Sequence, residues 1–241
     1  MKSKPFKFKE FTVEQDKVAM KVGTDGVLLG AWCSVDKYLD TILDVGAGSG
    51  VVALMIAQRS DAMTIDAVEL DENAYEQAVE NFEKSDWGDR LYCYNATFQE
   101  FADEIAAEGE CYDLIVSNPP FYTDSFESED VSRNKARFTS SLPFEELLVG
   151  ISKILSENGI FSTIIPFKEE INFIKMAKEH DLFLNKVCRV QGNTKSEVKR
   201  SLLSFSFQEK EIQETHLIIE IARHQYTEDY IKLTKDFYLK M

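Results

Sequence analysis

The chain has 241 residues, 44% hydrophobic and 12% aromatic, which is enough to bury a full core in one large domain and fits no disordered class. No apolar run approaches membrane-spanning length, and the start, Met1-Lys2-Ser3-Lys4-Pro5-Phe6-Lys7-Phe8-Lys9, is broken by lysines, so a soluble cytoplasmic protein is expected. A net charge of −15 argues by itself against a nucleic-acid partner, yet 20 acidic and only 2 basic residues fall between 61 and 130, which leaves the rest of the chain slightly basic.

Residues 1–33 read as an N-terminal extension and 34–241 as the main domain. Within the extension, Val22-Gly23-Thr24-Asp25-Gly26 supplies turn chemistry and Val27–Trp32 a short apolar helix. Thr24 and Asp25 there are either helix N-cap residues or a cover over a ligand pocket. The first strong strand, Thr41-Ile42-Leu43-Asp44-Val45, runs into Gly46-Ala47-Gly48-Ser49-Gly50, and a helix follows over Val51–Gln58. Strand, glycine turn and helix make a nucleotide-binding beginning, since glycines let a ligand approach the backbone and the helix start offers free N–H groups. A dinucleotide fingerprint would need another glycine where Val51 stands, which argues against NAD or FAD. The next strand, Thr64–Glu69, ends in an acid 19 residues after Gly50, where a carboxylate can grip both hydroxyls of a ribose.

An amphipathic helix is expected over Asp71–Lys84, a strand over Leu91–Asn95, a helix over Phe98–Ala106 and a strand over Tyr112–Val116. That strand delivers Ser117-Asn118-Pro119-Pro120-Phe121 to the sheet edge where open α/β folds bind ligands. An exocyclic amine or amide nitrogen is a poor nucleophile because its lone pair is delocalised. Two acceptors fixed against its N–H bonds favour a more tetrahedral nitrogen, and the Asn118 side-chain carbonyl and Pro119 backbone carbonyl can be those acceptors. The prolines lock φ and remove competing donors, and Phe121 offers a face for a planar group to stack on. Such a site presents one planar nitrogen to a methyl donor; the alternative is a strand-ending Asn-Pro turn with a core Phe.

Further on, helices are expected from Leu142 to about Leu155 and over Lys168–His180, with a strand over Gly159–Pro166 between them. Three final strands near Leu182–Val190, Leu202–Phe207 and Leu217–Ala222 favour antiparallel edge pairing. Cys33, Cys93, Cys111 and Cys188 lie far apart with no Cys-x-x-Cys, and read as reduced, mainly buried thiols with no metal. Basic clusters survive the overall charge at Lys2, Lys4, Lys7 and Lys9, at Arg133, Lys135 and Arg137, and at Arg189, Lys195, Lys199 and Arg200.

The run Asp44 to Gly50 resembles the Asp-x-Gly-x-Gly-x-Gly of class I methyltransferases, and with Asn118–Phe121 it resembles enzymes that methylate N6 of adenine or an amide nitrogen. More narrowly, Phe8-Lys9-Glu10-Phe11-Thr12-Val13, Met20-Lys21-Val22-Gly23-Thr24-Asp25-Gly26, Ser141-Leu142-Pro143-Phe144-Glu145-Glu146 and Asp236-Phe237-Tyr238-Leu239 resemble the bacterial tRNA1(Val) (adenine-37-N6)-methyltransferase family, over nearly the whole chain. The resemblance implies a Rossmann-like class I fold: a mostly parallel seven-stranded sheet with an antiparallel edge and helices on both faces. It implies S-adenosylmethionine as cofactor, no metal, no stable protein partner, and tRNA as the substrate. Lys21, Gly23, Thr24, Asp44, Gly46, Gly48, Gly50, Glu69, Leu70, Thr97 and Asn118 would face the cofactor; Asn118, Pro119 and Phe121 would act on the base. Pro120, Arg133, Lys135, Arg137, Lys195, Lys199 and Arg200 would face RNA, with the acidic segment 61–130 turned away. One departure is Thr97, where such enzymes commonly carry an Asp for the cofactor's adenine; its hydroxyl or Asn95 would substitute. Three alternatives remain open: a protein glutamine methyltransferase, an enzyme acting on rRNA or DNA, and a non-catalytic RNA-binding module.

Overall fold

The computed structural model describes residues 4–35, 39–120 and 142–241. In chain order the elements are β1 (Phe6–Lys7), β2 (Thr12–Val13), α1 (Thr24–Trp32), β3 (Thr41–Val45), α2 (Val51–Arg59), β4 (Thr64–Glu69), α3 (Glu72–Glu83), β5 (Leu91–Asn95), α4 (Phe98–Glu108) and β6 (Tyr112–Ser117). There follow α5 (Phe144–Ile154), β7 (Leu155–Pro166), a 3-10 turn (Phe167–Glu169), α6 (Glu170–Glu179), β8 (Phe183–Asn193), β9 (Val198–Ser206), β10 (Gln213–Ala222), β11 (Gln225–Tyr226) and α7 (Glu228–Thr234).

The main sheet runs β11-β10-β8-β9-β7-β6-β3-β4-β5. β5, β4, β3, β6 and β7 are parallel neighbours, and β9 lies antiparallel to both β7 and β8. Two expectations need correction. The sheet has nine strands rather than seven, and β10 pairs parallel with β8, from Gln213↔Lys186 to Glu220↔Asn193. β9 ends beside the start of β8, at Phe183↔Ser206, so the connection 207–212 only has to step across β8 for the chain to start again in the direction of β8. Alternating burial says which face a residue uses and not which neighbour its strand takes.

Consecutive strand residues feed opposite layers. Ile42, Leu114, Ile164 and Leu202 point into a core shared with α1, α2, α3 and α7, while Leu43, Ile115, Ile165 and Leu203 point into one shared with α4, α5 and α6. The N-terminal residues belong to the first core: Phe8, Phe11 and Val13 are buried there, and α1 lies so close to α2 that a Cβ on Gly30 would stand 2.9 Å from Met55 Cβ. The tail motif closes on the same region, with Phe237 buried, Tyr238 stacked on Phe8 at 5.9 Å and Gln58 Nε2 donating to the Asp236 carbonyl at 3.0 Å. Cys33 and Cys188 are buried, but Cys93 is half-buried and Cys111 exposed, so "mainly buried" overstated the thiols. Among the described residues no helix is long and apolar enough to cross a membrane.

Candidate active site

The glycine loop, Glu69 and Asn118 arrive at the carboxyl edge of β3, β4 and β6. Between β3 and α2, Gly46 and Ala47 donate N–H bonds to the Val68 carbonyl at 2.9 and 3.3 Å, and Gly50 N–H closes onto the Ala47 carbonyl at 2.8 Å. Gly46, Gly48 and Gly50 have φ of +73°, +56° and +76°, the left-handed region that favours glycine. Their reasons differ. A Cβ on Gly46 or Gly48 would meet nothing within 4 Å, whereas one on Gly50 would run into the Phe82 ring. Gly46 and Gly48 therefore keep the backbone bare toward open space, and Gly50 lets the turn pack on α3.

Two carboxylates back this loop. Glu69 accepts the Gly48 N–H at 2.8 Å with one oxygen and the Asp71 N–H at 2.9 Å with the other. Asp44 is buried and accepts the Ala53 N–H at 3.1 Å, holding the first turn of α2. Burial pushes the Asp44 carboxyl up to about 7, against the Ala53 hydrogen bond and with help from the Glu69 charge. Burial also raises Glu69, opposed by the N–H groups of Asp71 and Gly48. Crowded, desolvated carboxylates of this kind favour a positive charge nearby. Leu70, beside Glu69, is an exposed apolar residue facing solvent at the same edge. Asn95 Nδ2 ties that turn down by donating to the carbonyls of Glu69 at 2.9 Å and Leu70 at 3.2 Å. Thr97 is the N-cap of α4: its hydroxyl accepts the Glu100 N–H at 3.2 Å and donates to Glu100 Oε2 at 2.7 Å. The hydroxyl weighed as a contact to adenine is thus engaged in its own helix start.

Asn118 follows the last residue of β6, where Ser117 Oγ donates to the Val45 carbonyl at 2.9 Å and pins the strand end to β3. Asn118 is half-buried, Pro119 buried and Pro120 exposed; Phe121 lies outside the described residues, as do Arg133, Lys135 and Arg137. Gly26 joins the parts of the site. A Cβ there would meet Val51 Cγ1 at 3.4 Å, Val52 Cγ2 at 3.7 Å and Asn118 Nδ2 at 3.9 Å, so the first turn of α1 lies across the start of α2 and beside Asn118. Thr24 and Asp25 are the first two helical residues of α1, whose N-cap is Gly23 with no side-chain cap bond; Lys21, Gly23 and Thr24 are exposed at this mouth. Asp25 accepts from Arg200 Nε at 2.8 Å, which brings β9 to the same rim. Lys199 is exposed next to it, and Lys195 is exposed on the turn between β8 and β9. β9 is five strands from β5, roughly 24 Å at about 4.8 Å per strand, so the acidic helix α3, packed on β4 and β5, stands toward the other end of the sheet.

Two residues were passed over in the sequence reading. Asn81 is buried on α3, accepts the Glu14 N–H at 2.9 Å, and donates to the carbonyls of Glu14 and Ser49, each at 2.9 Å. Gln77, also buried, accepts the N–H groups of Asp16 at 3.1 Å and Lys17 at 3.2 Å. Together they strap residues 14–17 onto α3 beside the glycine loop, and Gln15 Oε1 accepts the Val22 N–H at 2.9 Å to carry the strap on toward α1. The signal was available: two amides four residues apart on the face that buries Ala74, Ala78 and Phe82.

Residues 29–137 match the family model described as "Methyltransferase small domain". The chain is 56% identical over 241 residues, the full length of both, to the tRNA1(Val) (adenine(37)-N6)-methyltransferase of Christiangramia forsetii. It is 57% identical to the protein of that name from Flavobacterium johnsoniae, over 98% of this chain and all of the relative. The one from Pseudoalteromonas translucida is 40% identical, over 98% of this chain and 99% of the relative. Among solved structures, a predicted O-methyltransferase from Agrobacterium tumefaciens superimposes with a TM-score of 0.66 at 18% identity, over 88% of this chain and 96% of that one. A second, a SAM-dependent methyltransferase from the same organism, gives 0.60 at 14% identity, over 86% and 71%. At such identities the structures speak for the class I methyltransferase fold alone, while the full-length sequence relatives place the chain in the tRNA1(Val) (adenine(37)-N6)-methyltransferase family.

Proposed function

We propose that this protein methylates N6 of adenosine 37 in the anticodon loop of tRNA1(Val) in the cytoplasm, using S-adenosylmethionine. The observation that carries the reading is the end-to-end identity with relatives bearing that activity in their name, joined to the meeting of α1, the start of α2 and Asn118 around Gly26. The chain's own geometry fits the methyl donor. Gly46 and Gly48 leave room against the backbone, and Glu69 stands at the strand end where a ribose diol would be gripped. The Asp44 and Glu69 carboxylates suit a cationic ligand. Bound there, S-adenosylmethionine supplies a methyl group already activated by its sulfonium.

The remaining work falls to Asn118 and Pro119. Their carbonyl oxygens accept the two N–H bonds of the adenine amino group and turn its lone pair out of the ring plane toward the methyl group. With the nitrogen held by Asn118 and Pro119, the donor bound at this edge would supply the methyl carbon and would keep the electron pair of the broken sulfur–carbon bond on its sulfur. The methylated nitrogen then carries a surplus proton and is a strong acid, so water at the open edge takes that proton and no buried base is required. Phe121 would stack on the base, and Lys195, Lys199 and Arg200, with Arg133, Lys135 and Arg137, would meet phosphates. The deciding experiment is mass spectrometry of nucleosides from purified tRNA1(Val) of cells with and without this gene: N6-methyladenosine at position 37 is expected only with it. Tritium from labelled donor appearing in protein instead of RNA would select the glutamine methyltransferase alternative.

A further inference from the structure

We propose that Phe167 and Ile171, flanked by Lys168 and Lys199, form a stacking platform for the unpaired bases next to the target adenosine in a single-stranded RNA loop. The proposal rests on the RNA-directed reading above. It starts from how far β7 runs. Ser117 of β6 pairs with Thr163 of β7, and β7 continues to Pro166 before the 3-10 turn begins at Phe167. At about 3.3 Å per residue, Phe167 stands roughly 10 Å farther out along the sheet edge than Asn118. The turn is therefore a ledge beside the site, placed for a nucleotide that neighbours the one being modified.

What the ledge displays is unusual for a surface. Phe167 is 41% exposed and Ile171 83% exposed, four residues apart, while Phe173 and Ala177 of the same helix are fully buried. The ledge is also held stiffly: Glu170, at its inner end, is buried against Arg189 Nη2 at 2.7 Å and takes a short hydrogen bond from Ser201 Oγ. A preorganised apolar surface loses little entropy on binding.

Charge distinguishes the partner. In a chain of net charge −15, two acids among the described residues of this rim are paired, Glu170 with Arg189 and Asp25 with Arg200. Pro166 pairs with Arg200, so the next step of that antiparallel register sets Lys199, exposed on β9, beside Phe167, and Lys168 sits within the turn, 3.7 Å from Glu169. An aromatic face with lysines beside it suits a base and its phosphate, because every base presents a π-face and every nucleotide a negative charge. The acidic helix α3 packs on β4 and β5 at the far end of the sheet, while α4 lies beside α5.

The test uses the full-length protein and a synthetic anticodon stem-loop carrying the target adenosine, with binding followed by fluorescence anisotropy across a salt series and methylation by single turnover. Phe167→Ala should weaken stem-loop binding about 5- to 100-fold without altering the salt slope or methyl-donor affinity, and Phe167→Trp should restore it. Lys168→Ala with Lys199→Ala should flatten the log–log salt slope by about 1.5. With abasic sites on both sides of the target, the effect of Phe167→Ala should vanish. Equal affinity of Phe167→Ala and wild type, or an undiminished effect on the abasic loop, overturns the platform while leaving the proposed function intact if wild type methylates the loop. Wild-type protein that ignores the stem-loop and methylates a protein overturns both.

Discussion

Asn81→Ala is the most informative single substitution, because one buried amide holds three chain segments. In the folded protein its side chain makes three hydrogen bonds of 2.9 Å, one to the Glu14 N–H and one each to the carbonyls of Glu14 and Ser49. Alanine leaves all three backbone groups without that partner on a residue that is 1% exposed. A net hydrogen bond contributes about 1 kcal/mol, and an unpaired buried group costs about 1–3 kcal/mol, so a loss of roughly 3–5 kcal/mol is expected. For a chain of this length each kcal/mol lowers Tm by about 2–4 °C, which puts the fall at roughly 6–20 °C. Asn81→Asp should do no better, since a carboxylate would face two carbonyl oxygens. Because Ser49 lies inside the glycine loop, methyl-donor affinity should fall as well, and calorimetric titration at a temperature where the variant remains folded reads that separately. A variant within about 0.5 kcal/mol of wild type in urea denaturation would refute the stability argument. Lost stability with unchanged donor affinity would show that the strap serves the fold and not the pocket.

The two kinds of glycine in the loop should separate in experiment. Gly50→Ala combines a left-handed φ with a collision against Phe82 and should cost about 2–5 kcal/mol in denaturation, while Gly48→Ala should cost only about 1–2 kcal/mol yet depress donor affinity more; the reverse ranking would invalidate the assignment. Asp44 titrates near 7 when folded and near 4 when unfolded, so its contribution to stability is present below pH 4 and lost by pH 7, roughly 4 kcal/mol in all. Asp44→Asn should therefore be more stable than wild type at pH 8, lose that advantage at pH 4, and bind the cationic donor less well; parallel stability curves for the two proteins would contradict this. Asn118→Ala should leave donor affinity nearly intact and slow single-turnover methylation about a hundredfold, and a wild-type rate would move the chemistry elsewhere.

Much of the site could be read in the sequence because its constraints are local. Glycines at a strand-to-helix turn, an acid at the next strand end and an Asn-Pro-Pro at another are dictated by backbone conformation and by where open α/β sheets leave ligands room, so Gly46–Gly50, Glu69 and Asn118 fall on one edge. Asn81 and Gln77 were legible in principle, since an amide on the apolar face of a helix has to find partners, but the pattern does not say which partners.

By itself the sequence determined the alternation that sorts Ile42 from Leu43 and Ile164 from Ile165, the helix starts at Val51 and Phe98, and the types of group gathered at the candidate site, whereas α1 starts at Thr24 rather than Val27, α5 at Phe144 rather than Leu142 and α6 at Glu170 rather than Lys168. Only the tertiary structure decided who meets whom. β10 runs parallel to β8 because β9 ends beside the start of β8, a fact of packing absent from the strand's own pattern. Thr97 spends its hydroxyl on Glu100, and Arg200 is brought by β9 to Asp25 across 175 residues of chain. Local propensity acts within a few residues, whereas hydrogen-bond and charge partners are chosen by whatever the packed sheet brings within about 3 Å, and that choice exists only once the chain has folded.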